Sequence, residues 1–324
     1  MHAAVESILE QTLADLELII VDDASVDDTR EEINRSSDER VQLLLNDRPL
    51  GLAASLNRAL TATQGRYVAR LDADDLALRH RLAVQANFLD EHPRISIVGS
   101  QATMIDENGN VVGGLNAPVG RLAVLWELLL GPPFIHPTVM LRRDSFERLG
   151  LRFDPMLPAA QDYQLWSRAL AHVQGDNIAE SLVLYRKHDR QTTAARRTAQ
   201  LEIHDQIALS VIRREVPELS LGADAVGALR RFAVGGGEPD RPVHELVELY
   251  FRLFDAFSAR HGNGDALADL RHKVAERALR RTLQISPGVR AVAGIVRRDP
   301  QLLGLVLRLL KRRVGRLARQ LAVE

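Results

Sequence analysis

The sequence predicts an α/β fold with a largely parallel sheet, followed by an α-helical region. Three observations predict it. Over the first 190 or so residues, short apolar runs alternate with amphipathic stretches at the spacing of strand–helix–strand units. Two acidic clusters, "VDDASVDD" at 21–28 and "LDADD" at 71–75, directly follow apolar runs. That places them beyond the carboxyl ends of strands, where open α/β sheets bind ligands. From about residue 196 the chain turns to Leu, Ala and Arg at helical periodicity, with no convincing strand.

The chain opens in an amphipathic helix, with Ala4, Ile8 and Leu9 on one face at helical spacing. Further helices are expected at 27–36, 51–64, 78–91, 121–130 and 162–173. Strands are expected at Leu18–Val21, Val41–Leu45, Arg66–Leu71, Ile95–Val98, Thr138–Leu141 and Leu182–Tyr185. Trp126 and Trp166 fall in apolar helical patterns and are expected in the core. Residues 1–195 therefore form one domain and 196–324 a helical region. "VGGGEPDRP" at 234–242 reads as a loop between helices, and no Gly-Lys-Ser/Thr follows to make it a phosphate loop. "HELVE" at 244–248 lacks the second histidine of a zinc helix.

Composition excludes several classes. The chain has 324 residues, 46% of them apolar and 26% charged, with a net charge of −1 and no cysteine. Disulfides, thiolate metal sites and a cysteine nucleophile are ruled out. Nothing in the charge suggests nucleic acid as a partner. No apolar run reaches about 18 residues, so no spanning helix is expected, and the N-terminus lacks the pattern of a signal peptide. The last stretch, 301–324, carries a stripe of Leu303, Val306, Leu307, Leu310, Val314, Leu317 and Leu321 beside six cations from Arg308 to Arg319. Such a basic amphipathic helix suits the surface of an anionic membrane. A helix packed on the protein with a solvated basic face is the alternative.

Three carboxylates in "RLDADD" repel one another unless a cation sits between them. Neither acidic cluster has the spacing and glycine of an EF-hand. A hard divalent ion, Mg²⁺ or Mn²⁺, held by one or two carboxylates and a substrate diphosphate is compatible with the cluster, as is an acidic loop in water. Asp162, ahead of "YQLWSRAL", suits a helix N-cap.

The segments "AVESILEQTLADLELIIVDDASVDDT", "GLAASLNRAL…GRYVARLDADD", "RLAVQANFLDEHPRISIVGS", "IHPTVMLRRDSFERLG", "AAQDYQLWSRAL" and "LVLYRKHDRQTT" resemble, in order and spacing, the family 2 glycosyltransferases of the GT-A fold. The resemblance covers about residues 4 to 193 and is strongest to the bacterial branch that builds O-antigens and exopolysaccharides. It implies metal-dependent, inverting transfer from a nucleoside diphosphate sugar, most often a UDP-sugar, to a lipid-linked or polysaccharide acceptor. It further implies that Asp22 and Asp23 lie at the nucleotide base, that Asp72 meets the ribose or the metal, and that Asp74 binds the metal. Asp162 matches the catalytic base, and Arg186 and His188 match a loop near the diphosphate. Gln161 stands where the family often has Glu. His136 is expected to be structural or to face the acceptor. The implied setting is cytoplasmic, with peripheral contact at the inner face of the plasma membrane through 301–324.

The family's opening apolar strand is absent ahead of the first helix. That absence is expected to open a gap in the sheet and leave backbone donors unpaired. Either the chain starts upstream of Met1, or this is a catalytically impaired homologue that binds a sugar nucleotide or a partner. A nucleotidyltransferase is disfavoured, because no glycine-rich basic loop lies near the N-terminus.

Overall fold

The computed structural model describes residues 1–34, 38–187, 197–235, 240–262, 264–285 and 288–309. The chain divides into two compact units, Met1–Ile207 and Ala208–Glu324. The boundary falls within one helix, Arg197–Glu215.

The first unit contains two sheets. Strands β1 (Leu18–Asp22) and β2 (Val41–Leu45) pair in parallel and in register from Leu18 opposite Val41 to Asp22 opposite Leu45. The larger sheet comprises β3 (Tyr67–Ala69), β4 (Leu76–Ala77), β5 (Ile95–Ile105), β6 (Val111–Leu115), β7 (Met140–Arg142) and β8 (Gln174–Arg186). Its order is β3-β7-β5-β8-β4, with β6 also paired to β5. Among the described strands β1 pairs only with β2 and β3 only with β7, so the sheet is in two pieces between β1 and β3.

A largely parallel sheet is not what forms. The pairs β1–β2 and β5–β8 are parallel, while β3–β7, β5–β7, β5–β6 and β4–β8 are antiparallel. Apolar runs mark strands but carry no direction, and the short turns after β5 and before β4 reverse the chain. Strand β8 also begins eight residues before the expected Leu182, because "QGDNIAES" looks polar although Asn177 in it is 1% exposed. Strand β6, "VVGGL", hides its pairing behind two glycines.

Helices α1 (His2–Leu9), α2 (Thr29–Asn34), α3 (Leu52–Ala62), α4 (Arg81–Glu91), α5 (Arg121–Leu128), α6 (Arg143–Arg148) and α7 (Gln161–Ala169) complete this unit. All but α6 fall where helical periodicity places them. Leu82, Ala86 and Leu89 of α4 bury against Ile95 and Val98 of β5 and Met140 of β7. Each such side chain contributes roughly 1.5–3 kcal/mol when fully buried. Val5, Ile20 and Ile33 form a second cluster that ties α1 and α2 to β1. Polar side chains close the helix ends. Gln11 Oε1 accepts the Leu82 amide at 2.9 Å, satisfying a donor at the start of α4, while its Nε2 donates to the Leu78 carbonyl at 2.8 Å. Trp126 and Trp166 are 2% and 1% exposed, in the core as expected.

Gly99 of β5 is opposite Asn177 of β8. A Cβ on Gly99 would lie 2.2 Å from Asn177 Oδ1. Asn177 cannot swing aside freely, because its Nδ2 donates to the carbonyls of Pro118 at 2.8 Å and Pro133 at 3.0 Å. Gly99→Ala is therefore expected to destabilise the protein by about 1–3 kcal/mol, as overpacking does. Urea unfolding measures it, and an unchanged midpoint would contradict the packing described.

In the second unit, α8 (Arg197–Glu215) is followed by α9 (Ala223–Val234), α10 (Val243–His261), α11 (Asp265–Ile285) and α12 (Val289–Arg298), then a 3₁₀ turn at Pro300–Leu302. Leu246, Tyr250, Leu253, Phe254 and Phe257 run along α10 at helical spacing and are all fully buried. The basic stretch expected at 301–324 lies outside the described residues from 310 onward.

Candidate active site

The acidic turn is made by the end of β3. After Ala69 the Arg70 amide donates to the Val139 carbonyl at 2.9 Å, and the chain then turns, the Asp75 amide reaching the Asp72 carbonyl at 3.2 Å. Strand β4 follows at once and pairs with β8, Leu76 opposite Leu184. Arg186, two residues further along β8, closes the turn from its other side. Its amide donates to Asp75 Oδ1 at 2.8 Å, its Nε to the Asp74 carbonyl at 3.0 Å, and its Nη1 to the carbonyls of Asp106 and Glu107. Arg186 thus braces the turn, its amide on the Asp75 carboxylate and its guanidinium on the Asp74 carbonyl.

This bracing gathers Asp72, Asp74 and Asp75, each of which offers an oxygen within 4.8 Å of the others. Asp72 and Asp74 are half-buried, while Asp75 is 1% exposed. Burial pushes the Asp75 carboxyl up to about 7 against the Arg186 amide, and the charges of Asp72 and Asp74 push it further. Its Oδ2 is buried with no hydrogen-bond partner among the described residues. Three hard oxygen donors with one orphaned and a proton held above its usual range fit a hard divalent cation.

Arg70 supplies the counter-charge. Its Nη2 binds Asp72 Oδ1, and its Nε and Nη1 are buried without partners among the described residues. Beneath it Arg81, 0% exposed, donates Nη2 to the Arg70 carbonyl at 2.6 Å and Nε to Gln85 Oε1 at 3.0 Å. Burial, with repulsion from Arg70, lowers Arg81 to about 9, and Asp75 opposes that shift. Removing Arg81 leaves the Arg70 carbonyl and Gln85 Oε1 without these donors and opens a cavity, both of which are costly. Arg81→Ala is expected to lower stability by about 3–5 kcal/mol in urea titrations. Arg81→Met, which keeps the volume, is expected to lose less.

Asp162 occupies the first turn of α7. It is not the N-cap that its place ahead of an apolar run suggests: Ala160 is, in a left-handed conformation with φ 58°. Desolvation raises the Asp162 carboxyl above its ordinary range. The Tyr163 amide and the charge of Arg70 pull it back, while Asp72 adds to the rise. Asp162 is therefore within electrostatic reach of the turn that holds Asp72. Nearby, burial and then Arg70 keep the His136 imidazole neutral, far below its usual titration. His136 packs between Phe153 and Trp166, its ring 5.6 and 6.0 Å from theirs, with Nε2 buried and unpartnered.

Asp22 ends β1 and Asp23 follows it, and the partners of their side chains all lie between residues 25 and 55. Burial raises the Asp22 carboxyl, but the Ser25 amide at 3.0 Å and Arg30 Nε at 2.6 Å outweigh it and hold it below the usual range. Asp23 is likewise desolvated and likewise held low, by the amides of Leu50 and Gly51, each at 2.8 Å, and Asn46 Nδ2 at 2.7 Å. Asp22 organises the segment that leads into α2, and Asp23 the loop that leads into α3. Ala24 beside them is left-handed, with φ 61°.

Asp72, Asp74 and Arg186 meet at one turn, whose Asp72 charge acts on Asp162, while Asp22 and Asp23 anchor separate segments. His188 lies outside the described residues. Asp75, one of the three acids of "RLDADD" but expected to be structural, lies with Asp72 and Asp74 in the cluster; Arg70 and Arg81 beside it were not singled out, because Arg70 reads as the end of a strand.

The first 150 residues match the model of glycosyl transferase family 2. An uncharacterised glycosyltransferase of Methanocaldococcus jannaschii is 32% identical over 201 residues, covering 60% of this chain and 69% of that protein. A UDP-Glc:α-D-GlcNAc-diphosphoundecaprenol β-1,3-glucosyltransferase of Escherichia coli is 33% identical over 152 residues, 43% of this chain and 59% of that protein. In fold, the chain resembles Staphylococcus aureus TarS 1–349 in complex with UDP-GlcNAc, with a TM-score of 0.54 at 17% identity over 91% of this chain and 85% of that one. The chain belongs to glycosyltransferase family 2, with relatives in bacterial O-antigen and exopolysaccharide synthesis, and has the GT-A fold.

Proposed function

We propose that the protein transfers a sugar from a nucleoside diphosphate donor, a UDP-sugar in the first instance, to a hydroxyl of a lipid-linked or polysaccharide acceptor, with inversion at the anomeric carbon. The observation that carries this reading is the gathering of Asp72, Asp74 and Asp75 within 4.8 Å, with the Asp162 carboxyl electrostatically coupled to that turn. The Escherichia coli relative, whose donor is UDP-glucose and whose acceptor is a diphosphoundecaprenol-linked sugar, supports the substrate classes.

Asp74 and Asp72 would hold Mg²⁺ or Mn²⁺, with Asp75 behind them. A divalent ion there neutralises the charge on the leaving diphosphate without a proton transfer. Arg70 fixes Asp72 and adds a positive charge beside it. Asp162 accepts the proton of the acceptor hydroxyl as its oxygen bonds to the anomeric carbon and the bond to the diphosphate breaks. One base and one leaving group give a single displacement, hence inversion. The loop held by Asp23 flanks the nucleotide base, Asp22 fixes the adjoining turn at Ser25 and Arg30, and Arg186 and His188 serve the diphosphate side. The enzyme works at the cytoplasmic face of the membrane, with 301–324 as its contact.

The division of the sheet between β1 and β3 favours a second reading, a homologue that binds a sugar nucleotide without turning it over. Calorimetry with UDP-, GDP- and dTDP-sugars in Mn²⁺, followed by transfer assays on polyprenol-diphosphate sugars, decides. Binding with transfer supports the enzyme and binding without transfer supports the second reading. The absence of metal-dependent binding to every donor would remove both.

A further inference from the structure

We propose that the helical unit carries an anion site for phosphoryl oxygens, built where the first turns of α11 meet the end of α12. A cleft of about 390 Å³ opens there, lined among others by Arg271 and His272 of α11 and by Arg298, Asp299 and Gln301. Helix α10 sets both arginines. Arg298 lies over the ring of Phe251 at 4.7 Å and Arg271 over that of Phe254 at 5.0 Å, and both phenylalanines are 0% exposed. A guanidinium held against a ring keeps its charge and leaves in-plane N–H groups for another partner. Arg271 shares one of these with Asp255 across a half-exposed 3.3 Å pair, and Arg298 forms no ion pair among the described residues.

The carboxylate that lines the cleft is already engaged. Asp299 is 9% exposed, accepts the Gln301 amide on Oδ1 at 3.1 Å, and receives His272 Nδ1 on Oδ2 at 2.6 Å. The cleft therefore presents two guanidiniums and an imidazole edge, with its carboxylate's oxygens taken up inside the protein. A donor-rich, acceptor-poor concavity of this kind suits an oxyanion bound by several N–H groups, and planar Arg forks match phosphate oxygens best. Leu303 and Leu307, one helical turn apart just beyond Gln301, are 54% and 55% exposed. Apolar side chains beside a phosphate site suit a phosphate carried on a lipid headgroup. Free phosphate shares the same chemistry.

The site lies wholly within Ala208–Glu324 and is independent of the transfer reading. The test is a titration of the full-length, metal-free protein with inorganic pyrophosphate, following the His272 ring signals in histidine-labelled protein. A saturable shift is expected, weakened at least tenfold in Arg271→Gln/Arg298→Gln and unchanged in Asp74→Ala, whose position belongs to the other unit. Flotation with phosphatidylglycerol against phosphatidylcholine vesicles separates the sources. Flotation specific to phosphatidylglycerol and lost in the double variant assigns the oxyanion to a lipid, and pyrophosphate binding alone assigns it to a soluble phosphate. An unmoved His272 signal, with vesicle binding equal in wild type and a folded double variant, overturns the proposal. If the double variant unfolds, Arg298→Lys serves instead: it keeps the charge but not the fork, and pyrophosphate affinity equal to wild type would equally overturn it.

Discussion

Asp162→Asn is expected to reduce transfer by roughly 10²–10⁴-fold, the range that a positioned general base supplies. Sugar nucleotide binding is expected to survive, because the amide keeps the shape of the carboxyl. The pH dependence carries the sharper test. The base acts only when ionised, and burial raises the Asp162 carboxyl above the usual carboxylate range. The acid limb of kcat/KM is therefore expected above the ordinary carboxylate range and is expected to vanish in the variant's residual rate. Stability runs the other way. A carboxyl whose folded-state pKa is raised stabilises the fold below its unfolded pKa and loses that contribution as pH rises through the folded value. Asp162→Asn is therefore expected to be more stable than wild type at neutral pH and nearly equal to it below pH 4. A variant that loses both rate and stability at neutral pH would mark Asp162 as structural, and full activity would exclude it as the base.

Asp74→Ala is expected to remove metal-dependent donor binding, weakening Mn²⁺ affinity by roughly 100-fold or more, since even outer-shell changes cost 10–100-fold. The backbone reason for choosing this residue is specific. Arg186 Nε donates to the backbone carbonyl of Asp74, a bond that alanine at this position can keep. Wild type in EDTA is expected to bind UDP as weakly as the variant binds it in Mn²⁺. Calorimetry of both compares the two directly. Equal Mn²⁺-dependent UDP binding by wild type and Asp74→Ala would place the metal elsewhere.

How far the sequence reveals these features depends on whether the signal is local. The acidic turn is legible because carboxylates after an apolar run are conspicuous, and the helices because their apolar stripes repeat every three to four residues. The first half of β8 is not legible, because Asn177 is buried there by bonds to Pro118 and Pro133, far away in sequence. Asp162 looks like a cap until the left-handed Ala160 takes that position. The parts played by Arg70 and Arg81 arise from contacts among β3, β7 and α4, and the donor-lined cleft from three helices converging. No window of sequence holds either pattern.

Among the described residues, only Ala24 and Ala160 adopt a left-handed conformation without being glycine. Each costs about 1–2 kcal/mol, against a net stability of roughly 5–15 kcal/mol for an ordinary domain. One adjoins Asp23 and the other stands two residues before Asp162. The fold therefore carries its conformational debts beside the groups proposed for chemistry. A screen that selects only for thermal robustness would be drawn to these two alanines, where a glycine relieves the strain while loosening the backbone on which a proposed working carboxylate rests. Selection for heat tolerance and selection for turnover would then pull on the same two positions in opposite directions.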